Sequence, residues 1–217
     1  MSYSRTNPSP RYQELQGLYR SMHEDGEKFL GIPAAQVFPG QSLPPQAPRI
    51  KRLIDLTQST NLLDYGSGKG QQYQPMTVNV TGVGTFESIL HYWGVKSLRC
   101  YDPAYQPFSD LPEGKFDGVI STDVLEHCPE DDIPWIIDEI FSYAEKFVFA
   151  NVACYPAKKR LSNGENAHCT IRPPEWWADV VKKTAEKYPG IAWEFWIQYL
   201  QPGPQGDQLV EQRLGSQ

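Results

Sequence analysis

The sequence is short of the features that announce an obvious function class. Its four cysteines, Cys100, Cys128, Cys154 and Cys169, include no C-x-x-C pair. That excludes the spacing of a zinc knuckle or a redox dithiol and leaves buried free thiols as the ordinary reading. No apolar run approaches the roughly 18 residues that a bilayer-spanning helix needs. The N-terminus lacks the apolar core of a secretory signal, so the chain reads as cytoplasmic and soluble. Positive charge is also scarce: a net charge of −6 and a pI near 5.3 speak against a general nucleic-acid binder, because neutralising phosphates requires a basic face. A local basic patch remains compatible with those totals. Internal repeats and low-complexity tracts are absent. The 217 residues suffice for one good core with additions.

What the sequence does have is the stretch Asn61-Leu-Leu-Asp-Tyr-Gly-Ser-Gly-Lys-Gly70. A short apolar strand ends in Asp64, and Gly66, Gly68 and Gly70 follow at alternate positions. Such glycines serve positive φ or a close approach of the main chain to a ligand, and a nucleoside is the natural candidate. In dinucleotide folds the first glycine follows the strand directly and the ribose acid lies about 20 residues on. Here the acid precedes the glycines, which disfavours a nicotinamide-dependent oxidoreductase.

In chain order, residues 1–10 read as a loose lead-in, and Leu15, Leu18, Tyr19, Met22 and Phe29 suggest an amphipathic helix over Arg11–Leu30, open to interruption near Gly26. Residues 31–48, with five prolines, form an irregular arm, and the N-terminal helix and arm together read equally as a lid over the glycine loop or as a packing element that covers the sheet edge. A helix over Ile50–Thr57 leads into the strand Asn61–Tyr65. Gln71–Gly84 is an insertion or an early helix broken near Pro75, with a strand-like run Thr77–Thr81. A helix over Phe86–Trp93 and a strand over Lys96–Asp102 follow. Asp102 at the strand end suits a ribose, since a carboxylate can accept from both hydroxyls of a diol. Only about fifteen residues separate Asp102 from the strand Phe116–Ser121, so the usual third strand is lost or vestigial. Asp110 is then a weak candidate for an adenine contact. A helix over Pro129–Lys146, a strand over Phe147–Val152, a helix from Pro174 to before Pro189, and strands over Ile191–Leu200 and Asp207–Leu214 complete the reading. The long connection Ala153–Pro174 carries Lys158, Lys159, Arg160, Arg172 and His168. Its cations could grip a phosphate or carboxylate, although a solvated basic loop is the commoner explanation. Trp176 and Trp177 read as stacking residues or core anchors, Trp193 and Trp196 as packing on opposite strand faces, and His23 and His91 as structural or surface residues.

A second constellation is Ser121-Thr122-Asp123-Val124-Leu125-Glu126-His127. It leaves its strand across the cleft from the glycine loop. A helical turn would place Asp123, Glu126 and His127 on one face, a set suited to acid–base work or to a divalent ion.

With both motifs in hand, residues 50–200 resemble the class I S-adenosylmethionine (SAM)-dependent methyltransferases. The glycine motif, Asp102, and Asp123-Val-Leu-Glu-His127 carry the resemblance. The Leu-Glu-His run is similar to ubiquinone-biosynthesis-type O-methyltransferases. Asp123, Glu126, His127 and His168 are also similar to the metal-binding Glu-x-x-Glu-His and later histidine of small-RNA 3′-terminal 2′-O-methyltransferases, with Asp in place of the first Glu. The resemblance implies an α/β, Rossmann-like class I methyltransferase sheet with helices on both faces and a C-terminal antiparallel hairpin, from which this sequence departs in its shortened third-strand region and to which it adds an N-terminal helical arm. The chain so divides into an N-terminal arm over 1–48 and a SAM-binding domain over 49–217. SAM would lie against Asp64, Tyr65, Gly66, Ser67, Gly68, Gly70, Tyr101, Asp102, Pro103, Ser121 and Thr122. Asp123, Glu126, His127 and His168 would be catalytic and would hold Mg²⁺ or Mn²⁺ where a metal takes part. The activity so implied is O-methylation of a small molecule or glycan. The alternatives are an RNA-terminal 2′-O-methyltransferase-like enzyme and a non-catalytic SAM-binding sensor or partner subunit. Nucleic acid is the less favoured partner but not an excluded one. The strand exit Ser-Thr-Asp lacks the Asn/Asp-Pro-Pro-aromatic run of base N-methyltransferases.

Overall fold

A computed structural model describes residues 3–204 and 206–216. In order the chain forms α1 (Pro10–Asp25), α2 (Ala47–Thr57), β1 (Asn61–Tyr65), β2 (Val78–Val80), β3 (Gly84–Phe86), α3 (Ile89–Trp93), β4 (Ser97–Tyr101), β5 (Phe116–Thr122), α4 (Ile133–Tyr143), β6 (Ala144–Cys154), α5 (Pro174–Ala185), β7 (Ala192–Gly203) and β8 (Gly206–Gly215). Six strands make one sheet in the order β4-β1-β5-β6-β7-β8, parallel except for the β7–β8 hairpin. The first five follow the doubly wound 2-1-4-5-6 sequence with the third strand missing. Only a 3₁₀ turn at Gln106–Phe108 lies between β4 and β5, as the short spacing there predicts.

Successive strand residues leave the sheet on opposite faces, and the sequence supplies apolar side chains to both. Leu63, Val119, Val148, Ala150 and Phe195 join one buried cluster with α4 and α5. Leu62, Ile120, Phe147 and Phe149 join the other with α2 and α3. Helices therefore cover both faces, and the sheet's carboxyl ends are left for a third, smaller cluster. That cluster unites Leu15 and Met22 of α1, Val37 of the arm, and Leu161 and Ala167 of the β6–α5 connection.

Several expectations are corrected. The N-terminal helix stops at Asp25, where Gly26 takes φ 88° and its N–H bonds the Met22 carbonyl. Residues 3–10 of the lead-in are docked rather than loose. Arg5 is paired with Glu139 and donates to the Tyr65 hydroxyl, and Ser9 caps α1 while donating from its backbone N–H and hydroxyl to buried Asp132. The insertion after Gly70 is a 3₁₀ turn (Gln71–Tyr73) followed by the β2–β3 hairpin, so no α-helix N-terminus faces the glycine loop. Ala144–Lys146 belongs to β6 rather than to the preceding helix. The closing strands are longer than the sequence suggests, pairing from Glu194↔Gly215 to Gly203↔Gly206.

Candidate functional site

A cavity of about 710 Å³ opens at the carboxyl ends of β1, β4, β5 and β6, the crevice where open α/β sheets take ligands. Its floor is Gly66–Gly68, Asp102–Ala104, Thr122–Val124 and Asn151. Its roof is Tyr19 and His23 of α1 with Phe38–Ser42 of the arm.

On the floor, Gly66, Gly68 and Gly70 have φ of 86°, 57° and 64°, a left-handed backbone that only glycine adopts without strain. A Cβ at Gly66 would lie 2.4 Å from Val124, and one at Gly68 would lie 3.1 Å from Phe38. The Asp102 carboxylate accepts from Gly68 N and Ala104 N, each at 2.9 Å, and so ties the glycine loop to the turn after β4. Each of its oxygens keeps a further lone pair. Burial raises the Asp102 pKa to about 6. Asp64 lies beneath the loop, not in the cavity wall. Tyr73 Oη (2.7 Å) and Gln72 Nε2 (3.2 Å) donate to its Oδ2, and burial lifts its pKa to about 7. Tyr65 and Tyr101 point into the core over α4, and Gly70 and buried Ser121 likewise stand outside the cavity lining. Of the expected cofactor residues, the cavity brings together Gly66, Ser67, Gly68, Asp102, Pro103 and Thr122. Asp110 is exposed and outside it.

Opposite the loop, Asp123 ends β5 with φ 62°, an uncommon conformation for a non-glycine residue and one that clusters at functional sites. Its N–H donates to the Asn151 carbonyl. A 3₁₀ turn begins only at Leu125, so the expected helical face over Asp123, Glu126 and His127 does not form. Instead Asp123, His127 and His168 converge, each offering one ligand atom within 4.8 Å of the others. Glu126 turns inward behind that trio, where its carboxyl meets that of Asp123 without joining the three converging ligand atoms. It is fully buried, accepts from Ala153 N at 2.7 Å, and its pKa is pushed well above the carboxylate range by burial and then by Asp123.

The two imidazoles are held alike. His127 Nδ1 lies 2.9 Å from the Ala167 carbonyl, and His168 Nδ1 lies 2.6 Å from the Tyr155 carbonyl. A carbonyl only accepts, so each neutral ring carries its proton on Nδ1 and leaves the Nε2 lone pair free, the arrangement usual for a metal-ligating histidine. Burial, and then His168, lower the His127 pKa to about 4. Tyr19 Oη donates to the same Ala167 carbonyl and lies 2.9 Å from His127 Nδ1. Two imidazole nitrogens and one carboxylate suit Mn²⁺, Fe²⁺, Co²⁺ or Zn²⁺ better than Mg²⁺, which prefers oxygen ligands.

Sequence reasoning offered a roof as one of two readings but did not name the residues that line it. His23 is buried between Phe38 and Tyr105, at ring centroid distances of 4.5 and 5.0 Å, and lines the cavity rather than serving only as a structural residue. The stripe Tyr12, Leu15, Tyr19, His23, at helical three- and four-residue spacing, was the available signal. His91 is a surface residue. Trp177 is a core anchor with Trp176 packed beside it, and Trp193 and Trp196 pack against opposite clusters. The four cysteines are free thiols. Among the described residues no helix is long and apolar enough to cross a membrane.

No protein-family model matches the chain, and no curated protein matches it.

Proposed function

We propose that the protein is a SAM-dependent methyltransferase that methylates a hydroxyl of a small molecule or glycan, with a divalent transition-metal ion at Asp123, His127 and His168. The observation that carries this reading is that one cavity is walled on one side by the left-handed glycine loop with Asp102, and on the other by three converging ligand-type side chains. Buried polar atoms without protein partners, Ser67 Oγ, Gln72 Oε1 and Asn151 Oδ1, belong to residues that line this cavity. They suit a polar ligand such as a nucleoside with an amino-acid tail.

In this reading Asp102 would accept from the ribose hydroxyls, and the glycine loop would leave its main chain open to the same nucleoside. SAM supplies a methyl group already activated by its sulfonium, so the chain mainly aligns donor and acceptor and excludes water. Asp123, His127 Nε2 and His168 Nε2 would hold the metal, whose chemistry there would be to make a nearby acceptor hydroxyl more acidic. Glu126 positions this set by fixing the Ala153 backbone, and Tyr19 with the Ala167 carbonyl fixes the His127 tautomer. The roof of α1 and the arm covers part of the cavity and leaves the rest open for an acceptor.

Calorimetry with S-adenosylhomocysteine tests the cofactor half. The wild-type chain should bind, and Asp102→Asn should bind roughly 10- to 100-fold more weakly, the usual loss of a charged acceptor. No binding to the wild type refutes the reading. Transfer of labelled methyl from SAM to a panel of polyols and glycans tests the rest: His127→Ala and His168→Ala should abolish it. Unchanged transfer in both variants would leave a SAM site without the assigned chemistry.

A further inference from the structure

We propose that Lys159 recognises an anionic group of the methyl acceptor, so that the acceptor carries a phosphate or carboxylate beside the reacting hydroxyl; the word acceptor rests on the methyltransferase reading, but the binding does not. The four cations of the β6–α5 connection separate clearly in the fold. Arg172 is paired with Glu130 and Arg160 donates to the Gly164 carbonyl, both at the surface. Lys158 and Lys159 line the cavity. Among the described residues, Lys159 has no carboxylate within salt-bridge distance and no hydrogen-bond acceptor for its ammonium, which lies 5.0 Å from the Phe38 ring centroid.

A half-buried ammonium that meets an aromatic face but no oxygen partner is unusual, because lysine heads ordinarily pair with acceptors or reach water. The backbone holds it there. The Lys159 carbonyl accepts from Ala167 N at 3.2 Å, and Arg160 N donates to Glu27 at 3.2 Å. The Asn166 side chain bonds Ala157 N and O, each at 2.9 Å, and its Oδ1 also accepts from His168 N at 2.9 Å. One network therefore holds the backbone at both Lys159 and His168, so the lysine stem leaves from the same braced loop that carries one member of the Asp123–His127–His168 trio. Burial lowers the Lys159 pKa, and Asp123 and Glu27 only partly oppose that shift. A compact ammonium with three donors is suited to phosphate or carboxylate oxygens. The acidic chain as a whole favours a small anion over a polyanion.

Glycerol 3-phosphate, glycerate, glycerol and a single-stranded RNA hexamer are the probes, titrated calorimetrically into the full chain with and without S-adenosylhomocysteine. Glycerol 3-phosphate or glycerate should bind at least about tenfold more tightly than glycerol, and the better of the two identifies the anion. Lys159→Gln should lose roughly 10- to 100-fold of that affinity and Lys159→Arg should keep most of it. Both variants should bind S-adenosylhomocysteine as the wild type does. Equal affinity for glycerol and both anions, or no loss in Lys159→Gln, overturns the inference. Tighter binding of the RNA overturns the small-acceptor assignment. If S-adenosylhomocysteine does not bind the wild type, the methyltransferase reading fails, and the contrast between anions and glycerol still decides the role of Lys159.

Discussion

Glu126 shows how a site can be legible in residue type and illegible in geometry. Its spacing from Asp123 and His127 makes it a fourth ligand on paper, yet the left-handed φ of Asp123 breaks the helical register and sends Glu126 to the backbone of Ala153. Nothing in the sequence marks that φ, because aspartate is only tolerated there. A glutamine at 126 can still accept from Ala153 N. Glu126→Gln should therefore keep Mn²⁺ affinity within about tenfold, whereas His168→Ala should lose more than about a hundredfold, as read by Mn²⁺ electron paramagnetic resonance titration. Asp64 offers a second test at this scale. Free aspartate titrates near 3.9, and burial raises the folded values of Asp102 and Asp64 to about 6 and about 7. The native state thus holds more protons than the unfolded chain between about pH 4 and 7, so this contribution to stability is full at acid pH and is lost as pH rises through that window. Asp64→Asn keeps an acceptor for Tyr73 and removes the buried charge. It should match the wild type near pH 4 and exceed it by on the order of 4 kcal/mol at pH 8 in urea unfolding.

At the scale of elements, the sheet was readable and the roof was not. β1 comes out of the sequence residue for residue, and Asp102 and Asp123 stand at the strand ends where apolar runs give way to polar turns, because burial on both faces writes a continuous apolar run. The arm has no such period. Its course depends on contacts with distant residues, such as the Lys69 ammonium, which donates to the carbonyls of His23 and Ala34. Sequence alone left the arm evenly balanced between a lid and a packing element. The shared apolar cluster and the Lys69 latch make it a packed roof over the glycine loop. Lys69→Met should leave the sheet folded and loosen only the arm. Thermolysin cleavage within residues 27–46 should rise about tenfold, the effect of losing roughly 1.4 kcal/mol of local stability. Unchanged cleavage would show that the latch holds nothing.

For the molecule as a whole, the question is whether the α/β sheet stands without its N-terminal helix. Tyr12 packs in the same cluster as α4 and the central strands, Leu15 and Met22 pack with the β6–α5 connection, and Ser9 bonds buried Asp132. Removing residues 1–26 would expose the partners of all three apolar side chains, each worth about 1.5–3 kcal/mol when buried. It would also leave Asp132 without its Ser9 donors. Set against a total stability of roughly 5–15 kcal/mol, the loss is large enough to abolish cooperative folding. The full chain should therefore melt in one transition by circular dichroism, and the truncated chain should show none at 25 °C. S-adenosylhomocysteine at about 100 times its Kd should raise the full chain's stability by about 2.7 kcal/mol. It should also increase hydrogen-exchange protection in α1, the arm and residues 155–170 together, since these form one roof. A truncated chain that melts within a few degrees of the full one would show that the sheet is a self-sufficient domain and that the roof is an added lid.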